Sequence, residues 1–460
     1  MTDTSQFLPN QQAITSDCLF NLKPSAVSSR SYRCSVPTSN KSSFNPGDVA
    51  ILYIPARRNC FLDTTQSYIR YTVKNNDSSY TINFDGCGAS PLNRLDVFHG
   101  SNLLETVQSY NVLYNYLLDF NLNFATRAGL SAMYGTHPSV SSIGASRQGG
   151  LIAKGGNQTT VCMPILSGTV GVLADKMLPL NLADDIRLEF TIEAQNVGMV
   201  YSNATPNSAW TITSMELELC IVEMSETGMG MTQSITPFSE PVFLHGSSYR
   251  HYVSTLPSAS SGSYSTLVPA RFASLKSLML CPRRNTEVSS ASSYSVASRI
   301  NPNIQNYWWR VGSLIIPQKY VNVQNSANTG GYAEAFAEIQ KSFHALNHAE
   351  YSGSIGSILY QVCDLSDNTV GGGVSDGTSA VLAPNTGANS YLNAFSLSAE
   401  LESFAQRNDT ILSGLNCLGS QIFWEANLNS TATAAAYTLD FFAYYDMILI
   451  LSDGLLSVKF

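Results

Sequence analysis

From Asp48 onward, apolar and polar residues alternate in short runs. Ile69, Tyr71 and Val73 are separated by Arg70 and Thr72, and Ile186, Leu188, Phe190 and Ile192 by Arg187, Glu189 and Thr191. Met215, Leu217, Leu219 and Ile221 are separated by Glu216, Glu218 and Cys220. A period of two sends alternate side chains to opposite faces of an extended strand, so these runs predict half-buried strands with one wet face, as in an antiparallel sandwich. On this pattern Glu216 and Glu218 face water. A second β-block begins near Tyr249, with its clearest strands at Leu275–Leu280, Val311–Ile316 and Gln421–Leu428, and a long final strand. In that final strand Leu439, Phe441, Ala443, Tyr445, Met447, Leu449 and Leu451 share one face, while Asp440 and Asp446 lie on the other. The same aspartates, with Asp453, exclude a membrane-spanning helix across this apolar stretch.

Two segments change period. Leu113, Tyr114, Leu117 and Phe120 predict a helix over about Tyr110 to Asp119, and Tyr332, Phe336, Ile339, Phe343 and Leu346 predict another over about Gly331 to Asn347, with Glu334, Glu338 and Lys341 opposite. One helix inside each strand-rich half suggests a duplicated architecture. Residues 1–45 are Ser-, Asn- and Gln-rich without sustained period and read as an arm. The division is then an arm at 1–45, a first β-domain at 46–230, a linker at 231–240 within the Met- and Gly-containing segment Glu226 to Pro237, and a second β-domain at 241–460. Long Ser/Gly loops, Pro138 to Gly156 and Asp364 to Asn389, are of a length usually reserved for function or interfaces.

Composition narrows the class. Charged residues make up 13% of the chain, about half the usual ~25%, and polar uncharged residues fill the gap. That suits short strands, polar turns and broad surfaces for protein contact. With 25 basic and 33 acidic side chains the net charge is −8, and the basic doublets Arg57-Arg58 and Arg283-Arg284 are isolated, so strong direct nucleic-acid binding is not expected. Nine dispersed cysteines without a C-x-x-C pair argue against a zinc site or disulfide framework and for buried thiols in a reducing compartment. The N-terminus lacks a basic, then apolar, leader, so secretion by that route is not expected.

Candidate chemistry is sparse. His344 and His348 have the spacing to chelate a metal from one helix face, but no third ligand can be identified, and both are read as helix-end or surface residues. There is no Gly-x-Ser-x-Gly elbow, and Gly371-Gly372-Gly373 lacks a Walker lysine. Tyr307-Trp308-Trp309 offers either a carbohydrate-stacking platform or, the reading favoured here, entry into a core strand over Trp309 to Ile316. Carboxylate pairs for glycoside hydrolysis depend on a three-dimensional separation and stay open. No catalytic, cofactor-binding or metal-binding residue is assigned, and no cofactor is expected.

The run Phe61-Leu62-Asp63-Thr64-Thr65-Gln66-Ser67-Tyr68-Ile69-Arg70-Tyr71 resembles an early strand of small eukaryotic DNA virus major capsid proteins. So does Arg94 to Gly100 through Leu103-Leu104-Glu105 to Tyr110-Asn111-Val112-Leu113-Tyr114. In the second half Gly312 to Gln318, Asp409 to Gly414 and the ending Ser452 to Phe460 are similar to the same group. The resemblance spans most of residues 48–460 and is nearest to capsid proteins of Polinton-like viruses and virophages, in the double jelly-roll lineage that includes adenovirus hexon. It implies an all-β chain of two tandem eight-stranded antiparallel jelly-roll sandwiches, each with a short inserted helix. It implies a non-enzymatic subunit whose homotrimers, nearly hexagonal in outline, tile an icosahedral virion shell around a DNA genome. Neighbouring capsomers, penton and cement proteins, and an internal membrane are the partners it brings into view, with assembly inside the host cell. The alternative is a secreted or surface β-sandwich that binds or cleaves glycans, for which a signal peptide and paired cysteines would speak.

Overall fold

The computed structural model describes residues 18, 25–135, 150–235, 240–288, 290–323, 332–344, 360, 394–404, 411–429 and 435–460. The first half contains eight principal strands: β1 (Ser29–Pro37), β2 (Val49–Ile54), β3 (Cys60–Lys74), β4 (Leu92–His99), β5 (Asn102–Gln108), β6 (Gln158–Pro164), β7 (Ile186–Ile192) and β8 (Thr211–Met224). They pair antiparallel as two sheets, in the orders β1-β8-β3-β6 and β2-β7-β4-β5. The second half repeats this with β9 (Val242–Leu256), β10 (Gly262–Val268), β11 (Leu275–Arg284), β12 (Ile304–Val311), β13 (Leu314–Asn322), β14 (Leu397–Glu400), β15 (Ile422–Leu428) and β16 (Tyr437–Ser452). Its sheets run β9-β16-β11-β14 and β10-β15-β12-β13. Each number is that of the first half plus eight, so the two halves share one topology. A last strand beside the first and a chain that crosses between sheets make each half a jelly roll.

Two helices follow the same repetition. α1 (Tyr110–Asn121) lies between β5 and β6, and α3 (Ala333–Ser342) between β13 and β14. α1 is buried along its whole circumference, including Asn111, Asn115 and Asp119, because both halves close over it. One hydrophobic cluster accordingly runs through both sandwiches.

Four expectations are corrected. Ser29–Pro37, assigned to the arm, is the strand that opens the first roll and pairs with β8 along its whole length. Tyr32, Cys34 and Val36 do alternate, but their half-burial comes from docking on a sheet edge rather than from entering the core. The first five positions of the expected linker, 231–235, belong to α2 (Glu226–Ile235), a helix begun by Glu226 and Thr227. Val311–Ile316 is not one strand but a hairpin: β12 ends at Val311, Gly312 turns at φ 58°, and β13 starts at Leu314. Glu218 is 1% exposed, not wet, because β1 covers that end of β8 and brings Arg33 onto the carboxylate, opposite Arg70 from β3. The long C-terminal strand is central, and its expected buried face is buried. It turns at Asp453-Gly454 into β17 (Leu455–Lys459).

Candidate assembly surfaces and the seam between the halves

The contact between the rolls is polar at its centre. Asp119 of α1 accepts a bond from Arg127 at 2.5 Å and pairs with Arg299 of the second half, and all three side chains are buried. Arg299 also lies over the Tyr116 ring, 5.5 Å from its centroid. Charges this far from water are tolerated only when paired, and removing one partner of such a group costs about 3–5 kcal/mol. Nearby, Asp85 accepts the backbone N–H groups of Ser295, Val296 and Ala297 at 2.6, 2.7 and 3.0 Å. Burial raises its pKa and the three donors oppose that rise. Glu105 of β5 accepts from the backbone of Gly168 and Thr169 and from the Ser248 hydroxyl of β9.

Backbones touch at the same seam. A Cβ on Gly168 would stand 2.3 Å from the Ser247 carbonyl oxygen, and one on Gly246 would stand 2.4 Å from that of Gly168. Only residues without a side chain allow this approach. Beside them His245 bridges the halves, with Nδ1 on Asp175 and Nε2 3.1 Å from Asp446. Its pKa is raised, first by the bond to Asp446 and then, against partial burial, by Asp175. Asp446, on the face of the final strand opposite its apolar one, is 5% exposed and also accepts from Ser274 at 2.5 Å. Asp440 is likewise buried, 2.6 Å from Arg283 and 2.8 Å from His251. Burial alone would raise its pKa, but Arg283 and His251 outweigh it and hold it at about 2.

The outer surface shows a second regularity. Exposed large apolar side chains within the seventeen strands sit only on strands at sheet edges: Val49 and Tyr53 on β2, Leu103 on β5, Phe243 and Val253 on β9 and Leu267 on β10. Leu314, Ile315 and Tyr320 on β13, and Leu455 on β17, continue the pattern. Phe243 and Val253 are 66% and 64% exposed. Edge strands with exposed apolar residues are open to another chain, and soluble monomers ordinarily block them with charge or bulges.

The other sequence candidates are dispersed. Tyr307 and Trp309 are fully buried in β12, as entry into a core strand requires, while Trp308 is half-buried and donates to Glu425 at 2.6 Å. Arg283 is spent on Asp440, while Arg57 donates to the Tyr32 hydroxyl at 2.9 Å. The eight cysteines among the described residues are free thiols. Gly371 to Gly373 and His348 lie outside the described residues. His344 follows α3 and stands with Glu400 and Glu402, partners its sequence distance conceals. Burial pushes Glu400 up to about 7, against its backbone donors and His344. A pocket of about 230 Å³ between α1, Leu166 and Tyr249 is lined, among the described residues, by apolar and aromatic side chains and Asn121. No helix among the described residues is long and apolar enough to cross a membrane.

No family model and no curated protein matches the chain by sequence. Solved structures do match in three dimensions. A chain of the PBCV-1 virus capsid is 11% identical with a TM-score of 0.61, over 96% of this chain and 98% of that one. The Faustovirus major capsid protein is 9% identical with a TM-score of 0.58, over 96% and 93%. A chain of the Sputnik virophage is 11% identical with a TM-score of 0.56, over 98% and 93%. At such identities the likeness is one of fold, and it extends over both rolls and the way they are joined.

Proposed function

We propose that this double jelly-roll chain is a virus major capsid protein, a structural subunit and not an enzyme. Its homotrimers form pseudo-hexameric capsomers that tile an icosahedral shell around a DNA genome. The observation that carries this reading is the confinement of exposed apolar strand residues to the sheet edges, on two rolls of equal topology locked together by buried charge. Three such chains supply six similar rolls, and edge-to-edge closure removes the open strands from solvent. Similarity of fold to the PBCV-1, Faustovirus and Sputnik chains supports the same reading.

Neighbouring capsomers, pentons and cement proteins are then the partners, and the virion the location. A net charge of −8 disfavours strong direct packing of DNA. The residues before β1 carry Lys23 and the anchors Phe7, Leu8, Leu19, Phe20 and Leu22, which suit a tie beneath an adjacent capsomer or to an internal membrane. Native mass spectrometry of the purified chain should show a species near three times 49.8 kDa, burying well over the standard ~1,600 Å² per interface. A folded protein that stays monomeric at micromolar concentration overturns the proposal.

A further inference from the structure

His344, Glu400 and Glu402 each present a ligand atom, and these atoms lie within 4.8 Å of one another. We propose that the three form a site for one divalent transition-metal ion of the Zn²⁺ class, which clips the end of α3 to the end of β14.

The donor set points to that class. An imidazole nitrogen with two carboxylates is a common ligand set for Zn²⁺ and its neighbours, and leaves a fourth position for water. Ca²⁺ and Mg²⁺ ask for six or more oxygen ligands and gain little from an imidazole. The present partners leave the donors available. Glu400 uses Oε1 on the backbone N–H groups of Leu401 and Glu402, at 3.1 and 2.9 Å. Glu402 meets the His344 Nε2 through Oε2 at 3.4 Å, while Lys276 stands 3.6 Å from its other oxygen and 3.4 Å from Asp446. Lys276 can therefore stay on Asp446 and Oε1 when an ion takes Oε2. The His344 ring is poorly satisfied: its Nδ1 is shielded from solvent and has no hydrogen-bond partner among the described residues. Lys276 is shared between Glu402 and Asp446, so an ion would add positive charge where Glu400 and Glu402 converge.

The ligands come from just after α3 and from the end of β14 and just after it, so the ion would join those two elements. An ion that the folded chain holds and the unfolded chain does not adds its binding free energy to folding, which gives the site a structural purpose independent of the capsid proposal.

The test uses the full-length protein, stripped with a chelator and titrated with ZnCl2 by calorimetry, with CoCl2 as a spectroscopic probe. One Zn²⁺ should bind per chain and raise the melting temperature. Glu400→Gln and His344→Gln should each weaken binding by at least ~10-fold, as even outer-shell changes at metal sites do. Both variants are near-isosteric, and circular dichroism of the metal-free proteins checks that they fold. Cobalt should give weak visible bands without thiolate charge transfer. Unchanged affinity in both variants, no binding above background, or a strong cobalt–thiolate band that places the ion on cysteines would each overturn the site.

Discussion

Asp440 shows how a single buried residue sets a pH limit on the fold. Its carboxylate, 1% exposed, is held ionised by Arg283 and His251, with its pKa at about 2 against an ordinary value of 3.8. A depressed carboxylate pKa contributes stability that is fully present above the unfolded value and disappears as pH falls through the folded one. The loss therefore falls between about pH 4 and pH 2. Melting temperature measured from pH 6 down to pH 2 should fall most steeply in that window. In Asp440→Asn the protein should already be destabilised at pH 6, by about 3–5 kcal/mol for the broken buried pair, and the acid slope should flatten. An identical acid slope in the variant would show that other carboxylates set the limit. His245 works in the opposite sense. Its raised pKa gives the Asp175–His245–Asp446 bridge strength at low pH that is lost as pH rises through the folded value.

At the scale of elements, the start of the first roll separates two kinds of truncation. Removing residues 2–24 leaves β1 intact, so trimers should form normally while particles become fragile or fail, if those residues tie capsomers together. Removing residues 2–40 takes away β1, exposes the edge of β8 and leaves Glu218 without Arg33. Soluble trimer should then be lost. Stable particles from the shorter deletion would sink the tie, and light scattering with negative-stain microscopy distinguishes the outcomes. The same strand marks the limit of what the sequence discloses. Ile186–Ile192 announces itself because burial on one face forces strict alternation, and the C-terminal strand because its long apolar run suits a central strand buried on both faces. Ser29–Pro37 buries its alternate residues Tyr32, Cys34 and Val36 only in part, which leaves a weak pattern, and the Val311 hairpin hides because its turn lies within an apolar run. The buried charges escape notice for another reason: Asp119 and Arg299, or His344 and Glu400, meet only through the tertiary fold. His344 and His348 share a helical spacing, whereas the donors beside His344 come from the end of β14 and the residues after it.

At the scale of the molecule, the two rolls share a topology but not a surface. The second roll carries Phe243, Val253, Leu267, Leu314, Ile315 and Tyr320 exposed on its edges, and the first carries Val49, Tyr53 and Leu103. Replacing Phe243 or Ile315 with Asp removes no core contact, so melting of the isolated chain should move by no more than about 0.5 kcal/mol in stability, as for ordinary surface changes. Trimer or particle yield should fall sharply for at least one of the two. Full assembly by both variants would mean that these edges stay in solvent. The buried seam between the rolls also has a schedule. Asp119 is synthesised 180 residues before Arg299, its partner from the other half. At ~5–20 residues per second the ribosome needs roughly 10–40 s to deliver that arginine. Arg127, eight residues downstream of Asp119, is available almost at once. The nascent first roll can thus shelter its carboxylate on a local cation and hold its shape while it waits, and the arrival of Arg299 then fastens the second roll to a first one already made.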